Sequence, residues 1–123
     1  MNGNSLLLDT NIILYLLGGD RTLIPLLEGK KLYISVITQL ELLSYKGLTV
    51  QDISNITALL SECVIIELNA PIKEATIQIR REFGLKLPDS IIIATSIYLN
   101  IPLISADREF AKVKKADLIL YNR

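Results

Sequence analysis

The chain has 123 residues, of which 50% are apolar, and its 13 Lys and Arg balance 13 Asp and Glu. This length fits one domain whose core buries roughly two-thirds of the unfolded surface, and the apolar content argues against disorder. The sequence contains no His and a single Cys, which excludes a His base, a Cys-His pair and a His-Cys zinc site. Any chemistry must therefore depend on carboxylates, hydroxyls, Lys, Arg or Tyr.

The sequence also bears on the cellular compartment. Cys63 alone cannot form an internal disulfide, so a reducing cytoplasm is the expected location. The N-terminal segment has no basic stretch, and Asp9 interrupts its apolar run, so we predict no signal peptide. The apolar stretch at 91–104 is shorter than the ~20 residues that a membrane-spanning helix needs. We therefore predict a cytoplasmic protein without a membrane segment.

Apolar periodicity predicts the elements of the first half of the chain. In order, they are a strand at 6–8, helices at 10–17 and 21–28, a strand at 32–35, and a helix at 36–46. The last of these is expected to place Ile37, Leu40 and Leu43 inwards and to end at Gly47. A capping box of Thr49 and Asp52 begins the next helix, and its inward stripe is predicted to comprise Ile53, Ile56, Leu60 and Cys63.

The second half continues the alternation of strands and helices. In order, we predict a strand at 64–68, a helix from Pro71 to Gly84, a buried helix at 91–99, and strands at 103–105 and 118–120. Strands that alternate with helices favour parallel pairing. The predicted fold class is therefore α/β: a three-layer sandwich with a central, mainly parallel sheet of about five strands. Residues 1–123 are expected to form a single domain.

Four acidic residues occupy positions that suggest chemistry. Ligands of parallel sheets bind beyond the carboxyl ends of the strands. Asp9 directly follows the first strand, and Asp107 lies two residues past the fourth. Glu41 lies six residues beyond the second strand, and Asp89 is at the start of the apolar helix. The topology is expected to bring three of these acids to one edge of the sheet.

Helix capping is an alternative explanation for Asp9, Asp89 and Asp107, because carboxylates often stabilise helix N-termini. It does not explain Glu41, which lies within a helix among apolar neighbours. Clustered carboxylates repel one another, so such a cluster either holds protons or binds a cation. A ligand set made only of oxygen atoms selects Mg²⁺ or Mn²⁺, ions that engage phosphate oxygens. The four acids together therefore point to phosphoryl chemistry.

The segments around these acids resemble the PIN-domain nucleases and, among them, the VapC-type toxins of toxin–antitoxin pairs. The matching segments, in order, are Leu7-Leu8-Asp9-Thr10-Asn11, Ile37-Thr38-Gln39-Leu40-Glu41-Leu42-Leu43, Leu87-Pro88-Asp89-Ser90-Ile91-Ile92-Ile93-Ala94 and Leu103-Ile104-Ser105-Ala106-Asp107-Arg108-Glu109-Phe110. The resemblance extends over essentially the whole chain. It departs modestly in the third segment, where isoleucines occupy positions at which small residues are common.

The resemblance implies a single PIN domain that cleaves RNA by means of a metal-activated water. It implies that Asp9 and Asp89 are the most direct ligands of one or two Mg²⁺ or Mn²⁺ ions. Glu41 and Asp107 would complete the pocket, directly or through water. Two polar residues would support the carboxylates: Asn11 and Ser105. The resemblance further implies a homodimer and an antitoxin whose C-terminal segment occupies a groove near the site, often presenting an Arg to the acids.

Other functions remain open at this point. The chain could be a free-standing PIN nuclease, or an inert PIN scaffold that binds RNA or a partner protein, although loss of an acid would be the usual mark of an inert scaffold. A haloacid dehalogenase-type phosphohydrolase also begins with an Asp at a strand end. That family requires a second Asp two residues later, where this chain has Asn11. A receiver domain requires an acidic pair near the first strand and a late Lys, and neither pattern is present.

Substrate delivery would require basic residues. The candidates are Lys30, Lys31, Arg80, Arg81, Arg108, Lys112, Lys114 and Lys115. Setting the four proposed ligands aside leaves a net charge of +4 on the rest of the chain. With metal bound at the acids, the surface offered to RNA is therefore more basic than the total charge suggests.

Overall fold

The computed structural model describes residues 3–122. Within this range the elements are β1 (Ser5–Leu8), α1 (Thr10–Leu17), α2 (Ile24–Leu27), β2 (Lys31–Ser35), α3 (Val36–Leu43), α4 (Val50–Leu60), β3 (Val64–Ile66), α5 (Ala70–Phe83), α6 (Leu87–Leu99), β4 (Leu103–Ser105) and β5 (Leu118–Leu120). Two short 3₁₀ segments are found at Arg21–Leu23 and Arg108–Lys112.

The five strands form one parallel sheet in the order β3-β2-β1-β4-β5. In the central strand, Leu7 is in register with Tyr33 of β2 and with Leu103 of β4. This sheet and its helices confirm the predicted α/β class. The chain runs outwards from β1 to β2 and β3, and then returns to add β4 on the other side of β1. The strand order therefore reverses between β1 and β4, which is where parallel sheets form ligand-binding crevices.

The core lies on both faces of the sheet because side chains alternate along β1. Leu7 packs on the face that α6 covers, while Leu6 and Leu8 pack on the face that α1 covers. In α6, residues 90–96 are all buried, which confirms the prediction that this helix lies inside the molecule. Among residues 3–122, no helix combines the length and apolar character that are needed to cross a lipid bilayer.

The third helix differs from its prediction. It ends at Leu43, with Ser44 as its C-cap, and does not continue to Lys46. Leu40 and Leu43 are exposed, whereas Leu42 is buried. The rotation of the helix follows from Thr38, which is buried and bonds to the hydroxyl of Thr10. With Thr38 and Leu42 inwards, the predicted inward positions at 40 and 43 were wrong.

Smaller differences concern the ends of elements. Gly47 has a φ of 84° and lies in the turn after α3, so it is not the helix cap. The capping box of Thr49 and Asp52 is confirmed, but Ile53 is exposed and only Ile56 and Leu60 of its stripe are buried. The segment at 21–28 divides into a 3₁₀ turn and a single helical turn, and the strand at 64–68 ends at residue 66. The helix that was predicted from Pro71 to Gly84 extends from Ala70 to Phe83, and Gly84 is its left-handed C-cap.

Candidate active site

Asp9 is a buried carboxylate at the carboxyl end of β1. Its side chain is 5% exposed. Its Oδ1 accepts a hydrogen bond from the backbone N–H of Thr10 at 2.8 Å, so Asp9 is also the N-cap of α1. Its Oδ2 accepts a hydrogen bond from the hydroxyl of Ser105 at 2.6 Å. One carboxylate oxygen is therefore held by the first residue of α1, and the other by the last residue of β4, the strand beside β1.

Ser105 connects two of the acids. Its Oγ donates to Asp9 and accepts from the backbone N–H of Asp107 at 3.0 Å. The Asp107 carboxylate in turn accepts from the backbone N–H of Glu109 at 2.9 Å and caps the 3₁₀ turn there. Capping and clustering are thus compatible explanations for Asp9 and Asp107, because each cap places its carboxylate at the site edge of the sheet.

Glu41 reaches the same crevice from α3. Its Oε1 accepts a hydrogen bond from the Thr10 hydroxyl at 2.7 Å. The Thr10 oxygen also lies 2.9 Å from that of Thr38. A hydroxyl has one proton to donate, so Thr38 donates to Thr10 and Thr10 donates to Glu41. This chain ties the glutamate to the residue that follows Asp9.

Sequence reasoning assigned no role to Thr10 or Thr38. A signal for them was present, because Thr10 directly follows Asp9 and Thr38 precedes Glu41 by three residues, on the same side of the helix. Asn11 was predicted to support the carboxylates, and it contacts the backbone next to Asp107. Its Oδ1 accepts from the backbone N–H of Ala106 at 3.3 Å, and so it holds the segment that precedes Asp107.

The electrostatics show which acids lie near one another. Burial raises the pKa of Asp9 to about 6, the Ser105 and Thr10 hydrogen bonds oppose that rise, and repulsion from Asp89 and Asp107 adds to it. Burial also raises the pKa of Asp89, with further repulsion from Asp107 and Glu41. Lys86 acts in the opposite direction on Asp89. Asp89 therefore links the four predicted acids, because it lies near enough to Asp9, Asp107 and Glu41 for their charges to interact.

These side chains fit a hydrated hard cation better than a closed protein cage. Across residues 3–122, no three acidic or Cys side chains come close enough to surround an ion unaided. Mg²⁺ typically takes one or two carboxylates and keeps several waters, so a compact cage is not required. The buried Asp9 carboxylate, with a raised pKa and acidic neighbours, is the kind of group that a divalent cation would stabilise.

A pocket of about 230 Å³ adjoins the acids on the α6 side. Its lining residues are Gly84, Leu85, Lys86, Asp89, Asp107 and Glu109. The larger depression on the molecule, of about 660 Å³, lies between the end of α1 and Tyr121 and includes none of the four acids. The smaller pocket is therefore the one that is relevant to chemistry at the carboxylates.

Three of the eight basic residues that were considered for substrate contact bond to other groups of the protein. Lys30 directly precedes β2, at the sheet edge opposite the acids, and bonds to the carbonyl of Gly3. The Nε of Arg80 donates to the carbonyl of Leu85 at 3.2 Å. Lys112 pairs with Glu109 at 2.7 Å. Arg108 is exposed beside Asp107.

Comparison with known proteins places the chain in a family. A model of the PIN domain matches residues 6–116. A chain of a toxin-antitoxin complex from Klebsiella pneumoniae is 31% identical, with a TM-score of 0.79, and the match covers 93% of this chain and 95% of that one. The chain therefore belongs to the PIN domain family, whose members are nucleases.

Other solved structures share the fold. A chain of VapBC2 from Rickettsia felis, bound to a promoter DNA fragment, has a TM-score of 0.83 at 23% identity, covering 96% of this chain and 99% of that one. A chain of VapBC-1 from nontypeable Haemophilus influenzae has a TM-score of 0.80 at 24% identity, covering 94% and 97%. No curated protein gives a significant sequence match. The predicted resemblance to PIN-domain nucleases of the VapC type is confirmed.

Proposed function

We propose that this protein is a Mg²⁺- or Mn²⁺-dependent endoribonuclease and the toxin of a VapBC-type pair, acting in the cytoplasm. The observation that carries the proposal is that four acids from separate elements act on one another: Asp89 and Asp107 raise the pKa of Asp9, and Asp107 and Glu41 raise the pKa of Asp89. Membership of the PIN family supports nuclease chemistry. Oxygen ligands without His or Cys support a hard metal.

In this proposal Asp9 and Asp89 hold the ion most directly, while Glu41 and Asp107 bind it directly or through water. When bound, the ion would supply positive charge for the phosphodiester and a water acidic enough to act as nucleophile. Ser105 keeps Asp9 oriented and favours its charged form, since its hydrogen bond lowers the pKa of that carboxyl. Thr10 holds Glu41 in position. Such fixed ligands reduce the reorganisation that is needed at the moment of reaction.

RNA cleavage tests the proposal against its alternatives. Purified protein is incubated with RNA in Mg²⁺ or Mn²⁺, with and without chelator, and with small phosphomonoesters in parallel. Cleavage that the chelator abolishes supports the proposal. Hydrolysis of phosphomonoesters without RNA cleavage would favour a phosphohydrolase, and binding without cleavage of any RNA would favour an inert scaffold.

The antitoxin and the homodimer belong to the same proposal. The structures of similar fold include VapBC complexes, and large apolar side chains are exposed at several places on the protein, any of which could contact a partner. They include Leu14, Leu40, Tyr45, Ile77 and Leu87. Growth arrest on expression, relieved by the product of a neighbouring reading frame, supports the toxin assignment. A free-standing nuclease would show no relief, and a monomer in light scattering would contradict the homodimer.

A further inference from the structure

The pocket beside the acids raises a problem of charge. Three of its six lining residues are acidic, namely Asp89, Asp107 and Glu109. RNA carries a negative charge on every phosphate, so a substrate strand that enters this pocket meets repulsion at each carboxylate that no cation neutralises. A metal ion would neutralise only the carboxylates that bind it. The strand on either side of the scissile bond needs a further positive charge from the protein.

Lys86 is the basic residue that lines this pocket. Among residues 3–122, the one ion pair with nitrogen and oxygen within 4 Å of each other is Lys112 with Glu109. The Lys112 ammonium therefore offsets the charge of Glu109. The Lys86 ammonium has no carboxylate of that range within 4 Å. Lys86 is exposed, so its charge faces the solvent from which a substrate would arrive.

The backbone of Lys86 is held firmly, although its ammonium makes no ion pair within 4 Å in the described part of the chain. Its carbonyl accepts from both the backbone N–H and the hydroxyl of Ser90, each at 2.9 Å, and Ser90 is fully buried. The preceding carbonyl, of Leu85, accepts from Arg80, and Gly84 provides the left-handed turn that ends α5. The backbone of Lys86 is therefore fixed three residues before Asp89, and only its flexible side chain has to become ordered when RNA binds.

We propose that Lys86 binds the RNA strand beside the acids, its ammonium contacting a phosphate oxygen of the nucleotide next to the scissile bond. This inference depends on the proposed nuclease function and adds to it a substrate-binding residue and the side on which the strand leaves the metal centre. A lysine acts here as a point charge on phosphate, so the contact carries no preference for base sequence.

Binding of a short, fluorescein-labelled, single-stranded RNA of random sequence tests the contact. Anisotropy is measured over a series of KCl concentrations, with chelator present, for wild type, Lys86→Ala, Lys86→Arg and Lys30→Ala. Loss of one phosphate contact on a single strand reduces the slope of log K against log salt by about 0.7. We expect this reduction, with weaker binding, for Lys86→Ala alone. Lys86→Arg should retain the slope, and Lys30→Ala removes the same charge at the opposite edge.

Steady-state kinetics in Mg²⁺ provide the second measurement. A contact that substrate and transition state share raises KM and leaves kcat unchanged, which is the expected behaviour of Lys86→Ala. If Lys86→Ala matches Lys30→Ala in both slope and KM, the inference is wrong. It is equally wrong if Lys86→Ala shifts the pH profile of kcat with an unchanged slope, because the lysine would then act on Asp89 alone.

The outcomes also separate this inference from the proposed function. RNA cleavage that is indifferent to Lys86 contradicts the inference and leaves the nuclease in place. Binding that depends on Lys86, in a protein that cleaves no RNA, contradicts the nuclease and leaves the phosphate contact in place. If the wild type neither binds RNA in chelator nor cleaves it in Mg²⁺, both the inference and the proposed function are wrong.

Discussion

The hydroxyl of Ser105 donates to Oδ2 of Asp9 over 2.6 Å and links the ends of two adjacent strands whose residues lie 96 positions apart in the chain. The same oxygen accepts from the backbone of Asp107. One small side chain thus sets the relative placement of two acids. Because the strand order reverses between β1 and β4, this bond lies at the position where parallel sheets generally form ligand-binding crevices.

Removal of that hydroxyl should affect both stability and chemistry. In Ser105→Ala, the buried Asp9 carboxylate loses a donor and the Asp107 N–H loses an acceptor, so we expect a loss of about 1–3 kcal/mol in the free energy of unfolding. The pKa of Asp9 should rise further, because this hydrogen bond lowers it. Urea unfolding and the pH profile of RNA cleavage measure the two effects.

A matched control is Ser96→Ala, since Ser96 is also buried and donates to the carbonyl of Ile93 within α6. It should lose stability without moving the pH profile. A Ser105→Ala profile that coincides with that of Ser96→Ala would show that Ser105 has only a structural role.

Thr10→Val tests how Glu41 is held. The valine keeps the shape of the side chain but cannot donate to Glu41, so the carboxylate loses the bond that orients it. Loss of a partner that orients a metal ligand typically costs roughly 10–100-fold in activity or metal affinity, and we expect a fall of that size. Thr10→Ser should restore most of the rate, whereas equal rates for Thr10→Val and wild type would contradict the assigned role.

The stability of the metal-free protein should depend on pH through Asp9. Its pKa is about 6 in the folded protein against an ordinary value of 3.8, so the folded state binds the proton more tightly. The stabilisation that results is fully present below about pH 4 and is lost as the pH rises through 6, up to about 3 kcal/mol for two pH units. Asp89 acts in the same direction.

The Asp9→Asn variant isolates this contribution. In chelator, it should be more stable than the wild type near neutral pH and similar to it near pH 4. Asp52→Asn is the control of opposite sign, because the capping hydrogen bonds to Thr49 lower the pKa of Asp52, and this variant should lose stability at neutral pH. Denaturant titrations at the two pH values would contradict the account if Asp9→Asn and wild type kept the same difference at both.

Addition of Mg²⁺ should restore the stability that the metal-free protein loses at neutral pH when Asp9 ionises. A cation that binds only the folded state raises the melting temperature, and at a fixed Mg²⁺ concentration the rise is larger when the site binds the ion more tightly. The ion must compete with the proton on Asp9. The rise in melting temperature should therefore grow as the pH increases through 6, and Asp89→Asn should show a much smaller rise. A rise in wild type that is independent of pH would place the ion away from Asp9.

The sequence was sufficient to predict the parallel sheet and the proximity of the four acids, because both depend on local patterns that tertiary packing did not override. The metal-binding roles of these acids stay a prediction. Apolar runs followed by Asp9 or Asp107 mark strand ends, and an acid within an apolar helix marks Glu41. The rotation of α3 was not predictable in this way, since it depends on a hydrogen bond between Thr10 and Thr38, which are 28 residues apart. Leucines on several sides of a helix leave the inward face undetermined.

The residues that line the pocket beside the acids were also not predictable from local sequence. Lys86 was not among the candidate basic residues, because nothing local distinguishes a lysine that lines a pocket from one on an ordinary surface. Its significance arises only once α5, α6 and the turn after β4 are assembled around one space. Contacts of this kind depend on the arrangement of elements and not on their local sequence.

The most direct test of the central claim is RNA cleavage by wild type, Asp9→Asn and Asp117→Asn over a series of Mg²⁺ concentrations, with a chelator control. Asp117 is an exposed aspartate at the opposite edge of the sheet, just before β5. The account predicts metal-dependent cleavage by wild type and Asp117→Asn. Asp9→Asn should lose more than the roughly 100-fold typical of a residue that only orients a ligand. Cleavage that persists in chelator and survives Asp9→Asn would contradict it.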